Sequence, residues 1–327
     1  MLWVLLKRYG VPVLGVMVLA MLLSHAHKID WAGAWAALKG YPHSVLFTAL
    51  AFATASHVLY GCYDLIGREH THHELPRLQT WAVAVSSYAF NLNLGSLVGG
   101  VALRARLYAR AGLDEGAVAQ VIGLSLATNW LGYGLLAGGL FASGAITPPS
   151  QAHISALALR VVGALMLLLA AGYIALCAAT HGRSWTVRGR KLQLPSARLA
   201  VAQLALSTAN WALMGATMYF LLGQKVPYAT TQAVLMCASI VGVITPIPAG
   251  LGVLEAVYIA LLSGTVGQGT LMGAVLAYRA VYYLLPLGGG LLLYVALERY
   301  AAGSAQKSSE KARPRPSDAQ DQTAQRG

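Results

Sequence analysis

The sequence predicts an all-α polytopic membrane protein built of two inverted repeats, each with three full crossings and one re-entrant or broken helical hairpin. Three observations predict it. The 327 residues are 57% hydrophobic and only 10% charged, with mean hydropathy +0.59, too apolar for a soluble domain of this length. Several apolar runs reach the roughly 20 residues that cross a bilayer. The basic residues that give the net charge of +12 lie between these runs, not along one face. That pattern encodes membrane topology and argues against a nucleic-acid partner.

There are about eight long apolar segments: 9–24, 43–66, 81–100, 117–142, 157–180, 198–222, 229–245 and 270–297. Lys7 and Arg8 precede the first, and Ser24-His25-Ala26 imitates a signal-peptide cleavage site; the repeat described below needs this segment as an uncleaved helix. The run 81–100 is polar in its middle (Asn91, Asn93) and rich in glycine at its end (Gly95, Gly99, Gly100), and it leads into the basic stretch 103–112. A further short run, 250–263, amounts to about 21 Å of helix, half of a hydrocarbon core about 30 Å thick. Residues 181–197 alternate Trp185 and Val187 with polar residues and suggest a small hairpin. The tail 303–327, almost free of apolar residues, is expected to be disordered and basic on the cytoplasmic side.

The two irregular regions match each other. A shift of 151 residues places Gly99 on Gly250, Arg104 on Glu255, Gly116 on Gly267 and Gly138-Gly139 on Gly289-Gly290. The membrane domain 1–302 therefore divides into repeats of about 1–150 and 151–302, each with its broken element third in order. If that element enters and leaves on one side, each repeat crosses three times, and the odd number inverts the second. With the N-terminus in the cytoplasm, eighteen of the 23 lysines and arginines face inward. Lys28, Lys39 and Lys225 face outward, and Arg160 and Arg279 lie within helices. Both termini are then cytoplasmic, in agreement with the positive-inside rule.

Chemistry concentrates at 243–256, VITPIPAGLGVLEA, where Pro246, Pro248 and Gly250 interrupt a helix and Glu255 follows at once. Broken backbone at membrane depth is tolerated only against protein or a cavity, and an ionisable residue there marks a site by default. Half-helix N-termini at Gly99-Gly100 and Gly250-Leu251 favour an anion, and Gly250 is expected to permit close backbone approach. A phosphate is the natural anion inside a membrane, with Arg104 and Arg279 as bidentate donors. Glu255 is expected to pair with Arg279 or to bind a cation or a proton. Asp64 and Arg68 are spaced for an interfacial i,i+4 pair, and His57, two turns earlier, offers a proton relay. The loop of His70, His72, His73 and Glu74 is too closely spaced for a recognised zinc pattern, and whether it binds metal stays open. No nucleophile elbow, P-loop, dinucleotide fingerprint or CxxC is present, so no catalytic residue or cofactor is assigned. Cys62, Cys177 and Cys237 fall in apolar runs and form no disulfide framework.

At these residues the chain resembles a known family. Residues 91–112, 245–256 and 276–290 are similar to the flippase-like membrane region of lysylphosphatidylglycerol synthases and to stand-alone YbhN-type proteins. The shared pattern, an acid after PxGxG and then a Tyr-Arg pair, is spelled here Pro248, Gly250, Gly252, Glu255, Tyr278 and Arg279. The resemblance implies a bacterial inner-membrane protein that moves a phospholipid, or another lipid with an anionic or modified head group, between leaflets. The head-group residues on this reading are Arg279, Glu255, Arg104, Gly250, Gly252, Pro248, Tyr278, Asn91 and Gly99. The synthases carry a soluble aminoacyl-transferase domain after the membrane part, whereas the sequence here ends in a short polar tail. Two other readings compete: an intramembrane enzyme acting on a lipid phosphate, and a non-transporting partner of a lipid-modifying synthase. Possible protein partners are such a synthase and a second copy of the chain.

Overall fold

The computed structural model describes residue 36 and residues 38–146, 155–180, 184–187, 190–245 and 250–311. The expected first helix at 9–24, most of the loop 145–156, Pro246 and Pro248, and the tail beyond Lys311 lie outside the described residues.

Over the described residues the order is α1 (His43–Thr71), α2 (Arg77–Leu94), a π-helical segment π1 (Ser96–Leu103), α3 (Arg104–Arg110), α4 (Glu115–Ala142) and α5 (Ala156–Thr180). A two-stranded antiparallel hairpin follows, β1 (Ser184–Val187) with β2 (Arg190–Gln193), as its alternation suggests. Then come α6 (Ala197–Leu221), α7 (Tyr228–Ile244), α8 (Val253–Leu262), α9 (Gln268–Tyr278), a second π-helical segment π2 (Arg279–Leu284) and α10 (Leu285–Lys311). The last helix runs past Gly303, where the sequence reading begins the polar tail.

Five stretches are long and apolar enough to cross a membrane: α1, α4, α5, α6 and the continuous rod Gln268–Gly303 formed by α9, π2 and α10. They coincide with the runs expected to cross fully, apart from the first, which lies outside the described residues. The helices α7 and α8 are shorter. Prolines at 42, 76 and 227 stand just before α1, α2 and α7, where a fixed φ and a missing N–H cost nothing. Asp114 caps α4 by accepting from the amides of Gly116 and Ala117.

Leu157, Val161, Leu165, Leu168 and Leu169 cover the outside of α5, and Leu291 and Leu292 that of α10; all are exposed, as lipid-facing side chains are. Inside, helices are joined by polar side chains. Gln203 on α6 donates to Thr128 on α4 (2.7 Å) and accepts from Tyr173 on α5 (2.7 Å). Ser207 and Trp211 both donate to the carbonyl of Asn129. Gly132 provides the room, because a Cβ there would overlap Ser207. Small residues and buried hydrogen bonds replace a hydrophobic driving force that lipid cannot supply.

The two irregular regions are both hairpins. In the first, Gly95 (φ 87°, ψ 164°) turns the chain after α2, and π1 packs back on it. A Cβ on Gly99 would collide with the backbone of Phe90 and Asn91. The Tyr108 hydroxyl on α3 then reaches the Thr80 carbonyl near the start of α2 (3.4 Å), so the chain returns to the end from which it left. In the second, the Tyr258 hydroxyl on α8 donates to the Thr231 carbonyl near the start of α7 (3.2 Å). Thr80 and Thr231 are separated by the same 151 residues that superimpose the glycines. Gly99→Val is expected to prevent closure of the first hairpin. The check is detergent-extracted yield and gel filtration: a monodisperse variant at wild-type yield would contradict it, since backbone cannot yield as a flexible side chain does.

Candidate functional site

Each hairpin supplies one member of a buried ion pair. In the second, Gly252 (φ 81°) starts α8 and places Glu255 in its first turn, where the helix dipole favours a carboxylate. Arg279, at the first position of π2, grips that carboxylate with both arms, Nε to Oε1 at 2.6 Å and Nη2 to Oε2 at 2.9 Å. The same Nη2 donates to the carbonyl of Gly250 (2.8 Å), and the guanidinium lies over the Tyr283 ring at 5.6 Å. The expected Glu255–Arg279 pair is therefore bidentate, and it also ties down the broken backbone. At Gly250 (φ 54°) a Cβ would make only an ordinary van der Waals contact with Val253 (3.9 Å). Glycine is needed there for its left-handed backbone, whereas the tight backbone-to-backbone contact within the protein is at Gly99.

In the first hairpin Arg104 and Asp64 are both fully buried, with Nη1 3.4 Å from Oδ1. Arg104 also donates to Ser125 (2.9 Å) and Tyr60 (3.4 Å), while Asp64 accepts a short bond of 2.6 Å from Tyr108. The interfacial Asp64–Arg68 pair expected from spacing is not formed. Arg68 instead donates to the carbonyl of Leu75 (2.7 Å), because that face of α1 ends at the loop into α2. Asp64 points inward, where only a second buried charge keeps a carboxylate ionised at tolerable cost. His73 sets its ring edge toward Tyr108, with centroids 6.2 Å apart. Burial and the Arg68 guanidinium hold its imidazole below the usual range, against the pull of Asp64.

Between the pairs runs an unbroken file of aromatic rings. Arg104 lies over Tyr60 (5.6 Å), and Tyr60 stacks on Tyr88 with centroids 3.6 Å apart. The hydroxyls of Tyr88 and Tyr282 are 3.0 Å apart, and Tyr282 stacks on Tyr278 at 5.1 Å. Tyr278 meets Tyr283 edge-on (6.0 Å), under Arg279. Ser56 bonds both Tyr282 (2.6 Å) and Asn210 (2.6 Å).

Of the sequence-predicted site residues, Arg279, Glu255, Gly250, Gly252 and Tyr278 gather at the second hairpin. Arg104, Asn91 and Gly99 belong to the first, with Asn91 packed against Gly99 and Gly100. Pro248 lies outside the described residues. Sequence reasoning missed Tyr60, Tyr88, Tyr108, Tyr282 and Asn210 and misplaced Asp64. The signal was present on α1, where Ser56, His57, Tyr60, Tyr63 and Asp64 recur at helical spacing within an apolar run.

A family model described as "Lysylphosphatidylglycerol synthase TM region" matches residues 12–290. The chain is 42% identical over 300 residues to "Inner membrane protein YbhN" of Escherichia coli, covering 91% of this chain and 94% of that protein. It is 28% identical over 280 residues to an uncharacterized protein of Synechocystis sp., covering 84% and 86% of the two.

Proposed function

The chain belongs to the family of lysylphosphatidylglycerol synthase transmembrane regions, and from that premise we propose that it is a lipid translocator of the bacterial inner membrane. The observation that carries the reading is the pair of buried guanidinium–carboxylate contacts, one per hairpin, joined by the tyrosine file. An anchor or a passive partner needs no such charges, and each is expensive to bury.

A phosphate and a carboxylate compete for the same planar fork, so a lipid phosphate is recognised by displacing Glu255 from Arg279, or Asp64 from Arg104. The Nε–H of Arg104, buried and without a hydrogen-bond partner, is a donor in reserve for that exchange. The head group crosses along the polar file while the acyl chains remain in lipid, because a bare phosphate finds no partners in hydrocarbon. The lipid leaves chemically unchanged, so the activity is transport, not catalysis. The substrate class is an anionic phospholipid. The two hairpins are re-entrant in this reading, the second repeat is inverted, and both termini are cytoplasmic.

Purified protein in vesicles containing a fluorescent anionic phospholipid, quenched from outside, tests this. Exchange above the protein-free rate supports it; a chemically altered lipid points to an enzyme, and no exchange points to a partner of a synthase. Topology is tested in a variant with the three native cysteines replaced. Gly267→Cys and Ser143→Cys are expected to label from outside intact cells and Glu115→Cys only after permeabilisation. External labelling of Glu115→Cys would overturn the orientation.

A further inference from the structure

His57 lies beside the central tyrosine file, and neither ion pair uses it. It is buried, on α1, one residue from Ser56. Its Nδ1 is 2.9 Å from the carbonyl of Ala53, an atom that only accepts, so Nδ1 carries a hydrogen. In the neutral ring Nε2 is therefore the bare base, and it has no hydrogen-bond partner. The imidazole is bracketed by the rings of Tyr88 (5.1 Å) and Tyr282 (4.8 Å), both tilted to its plane. Beside it the hydroxyls of Tyr88, Tyr282 and Ser56 form a hydrogen-bonded chain ending on Asn210.

We propose that His57 Nε2 is a proton-binding site within the membrane, so that the protein moves protons together with its lipid. The coupling to lipid rests on the translocation reading above; the proton site does not. A proton is the cation that fits, since the ring already touches protein on both sides. The proton bonds to the lone pair of Nε2 itself, so His57 becomes imidazolium between uptake and release, while the hydroxyls beside it stay neutral.

The groups facing the ring are Tyr88 from α2 and Tyr282 from π2, with Asn210 of α6 reached through Ser56. Tyr60, Tyr63 and Asp64 follow on α1 toward Arg104, with Tyr108 and Ser125 around that pair. Toward the other end Tyr278 and Tyr283 lead to Arg279 and Glu255. A positive His57 thus sits between two neutralised ion pairs. Its charge favours an anion in the file, which would link proton binding to uptake of the lipid phosphate and proton loss to its release.

The test uses vesicles of anionic phospholipid holding the full-length protein and an internal pH dye, diluted into a more acidic buffer with potassium and valinomycin clamping the potential at zero. Wild-type vesicles are expected to acidify inside, and His57→Phe, which keeps the aromatic stack, to acidify about a hundredfold more slowly. His57→Gln, which keeps a polar tip, should behave the same; thermal melts check that both are folded. Acidification no faster than in protein-free vesicles, or at the wild-type rate in His57→Phe, overturns the proposal. Lipid exchange is read on the same vesicles. Proton flux that depends on His57 without any lipid exchange supports the proton site and refutes the translocation reading alone.

Discussion

Arg279→Gln is expected to stop lipid exchange in reconstituted vesicles. Part of the loss will be structural. Removing the guanidinium strips the bidentate partner from Glu255 and a donor from the Gly250 carbonyl. Breaking a buried pair by deleting one partner costs about 3–5 kcal/mol. Glu255 keeps some exposure, which places the cost toward the lower end. The double variant Arg279→Gln with Glu255→Gln separates the two effects. It leaves two neutral amides that hydrogen-bond to each other, so thermal stability should return to within about 1–2 kcal/mol of wild type. Exchange should stay lost, because no fork remains to take a phosphate. Arg279→Lys should recover only part of the activity, since an ammonium keeps the charge and loses the planar geometry. A stable double variant that exchanges lipid at the wild-type rate would reduce Arg279 to a structural residue.

The architecture was largely legible in the sequence because hydrocarbon leaves few choices. Apolar run length selects which helices can cross, and five of the six runs expected to do so form helices long and apolar enough among the described residues. The helix breaks were legible too, since Pro, Gly and Asn clustered within apolar runs interrupt a helix. Arg279 and Glu255 could be paired because each is expensive alone. Asp64 was misread for a reason of the same kind. Spacing along one helix offers Arg68 at i+4, whereas the true partner, Arg104, is 40 residues away on the returning arm of a hairpin. Local periodicity ranks partners on one element; it cannot weigh them against a charge delivered by tertiary folding. The tyrosine file had a visible component, the polar stripe on α1, and a hidden one. Tyr60 meets Tyr88, and Tyr88 meets Tyr282, only once three separate elements are packed. Tyrosines in apolar helices otherwise read as interfacial anchors.

The Asp64–Arg104 pair should show the largest stability effect in the molecule. Both residues are shielded from solvent, and the Coulombic contact at 3.4 Å is longer than an ideal charged hydrogen bond. Much of the compensation comes from neutral groups: Tyr108 donates to Asp64, and Ser125 accepts from Arg104. Asp64→Leu deletes the counter-charge and leaves a guanidinium buried among Tyr60, Ser125 and the end of π1. A loss of about 3–5 kcal/mol is expected, read as a lowered melting temperature and reduced yield. Arg104→Met in the same chain removes the stranded charge, and stability should rise well above that of Asp64→Leu, because an apolar pair replaces a buried ion pair at little cost. Tyr108→Phe, which leaves both charges in place, should cost only about 1–3 kcal/mol, the range for one hydrogen bond to a charged group. If the double variant melts no higher than Asp64→Leu, the pair is not what holds α1 to the first hairpin. If the double variant is stable and still exchanges lipid at the wild-type rate, Arg104 has no part in recognising phosphate, and Arg279 alone carries that role.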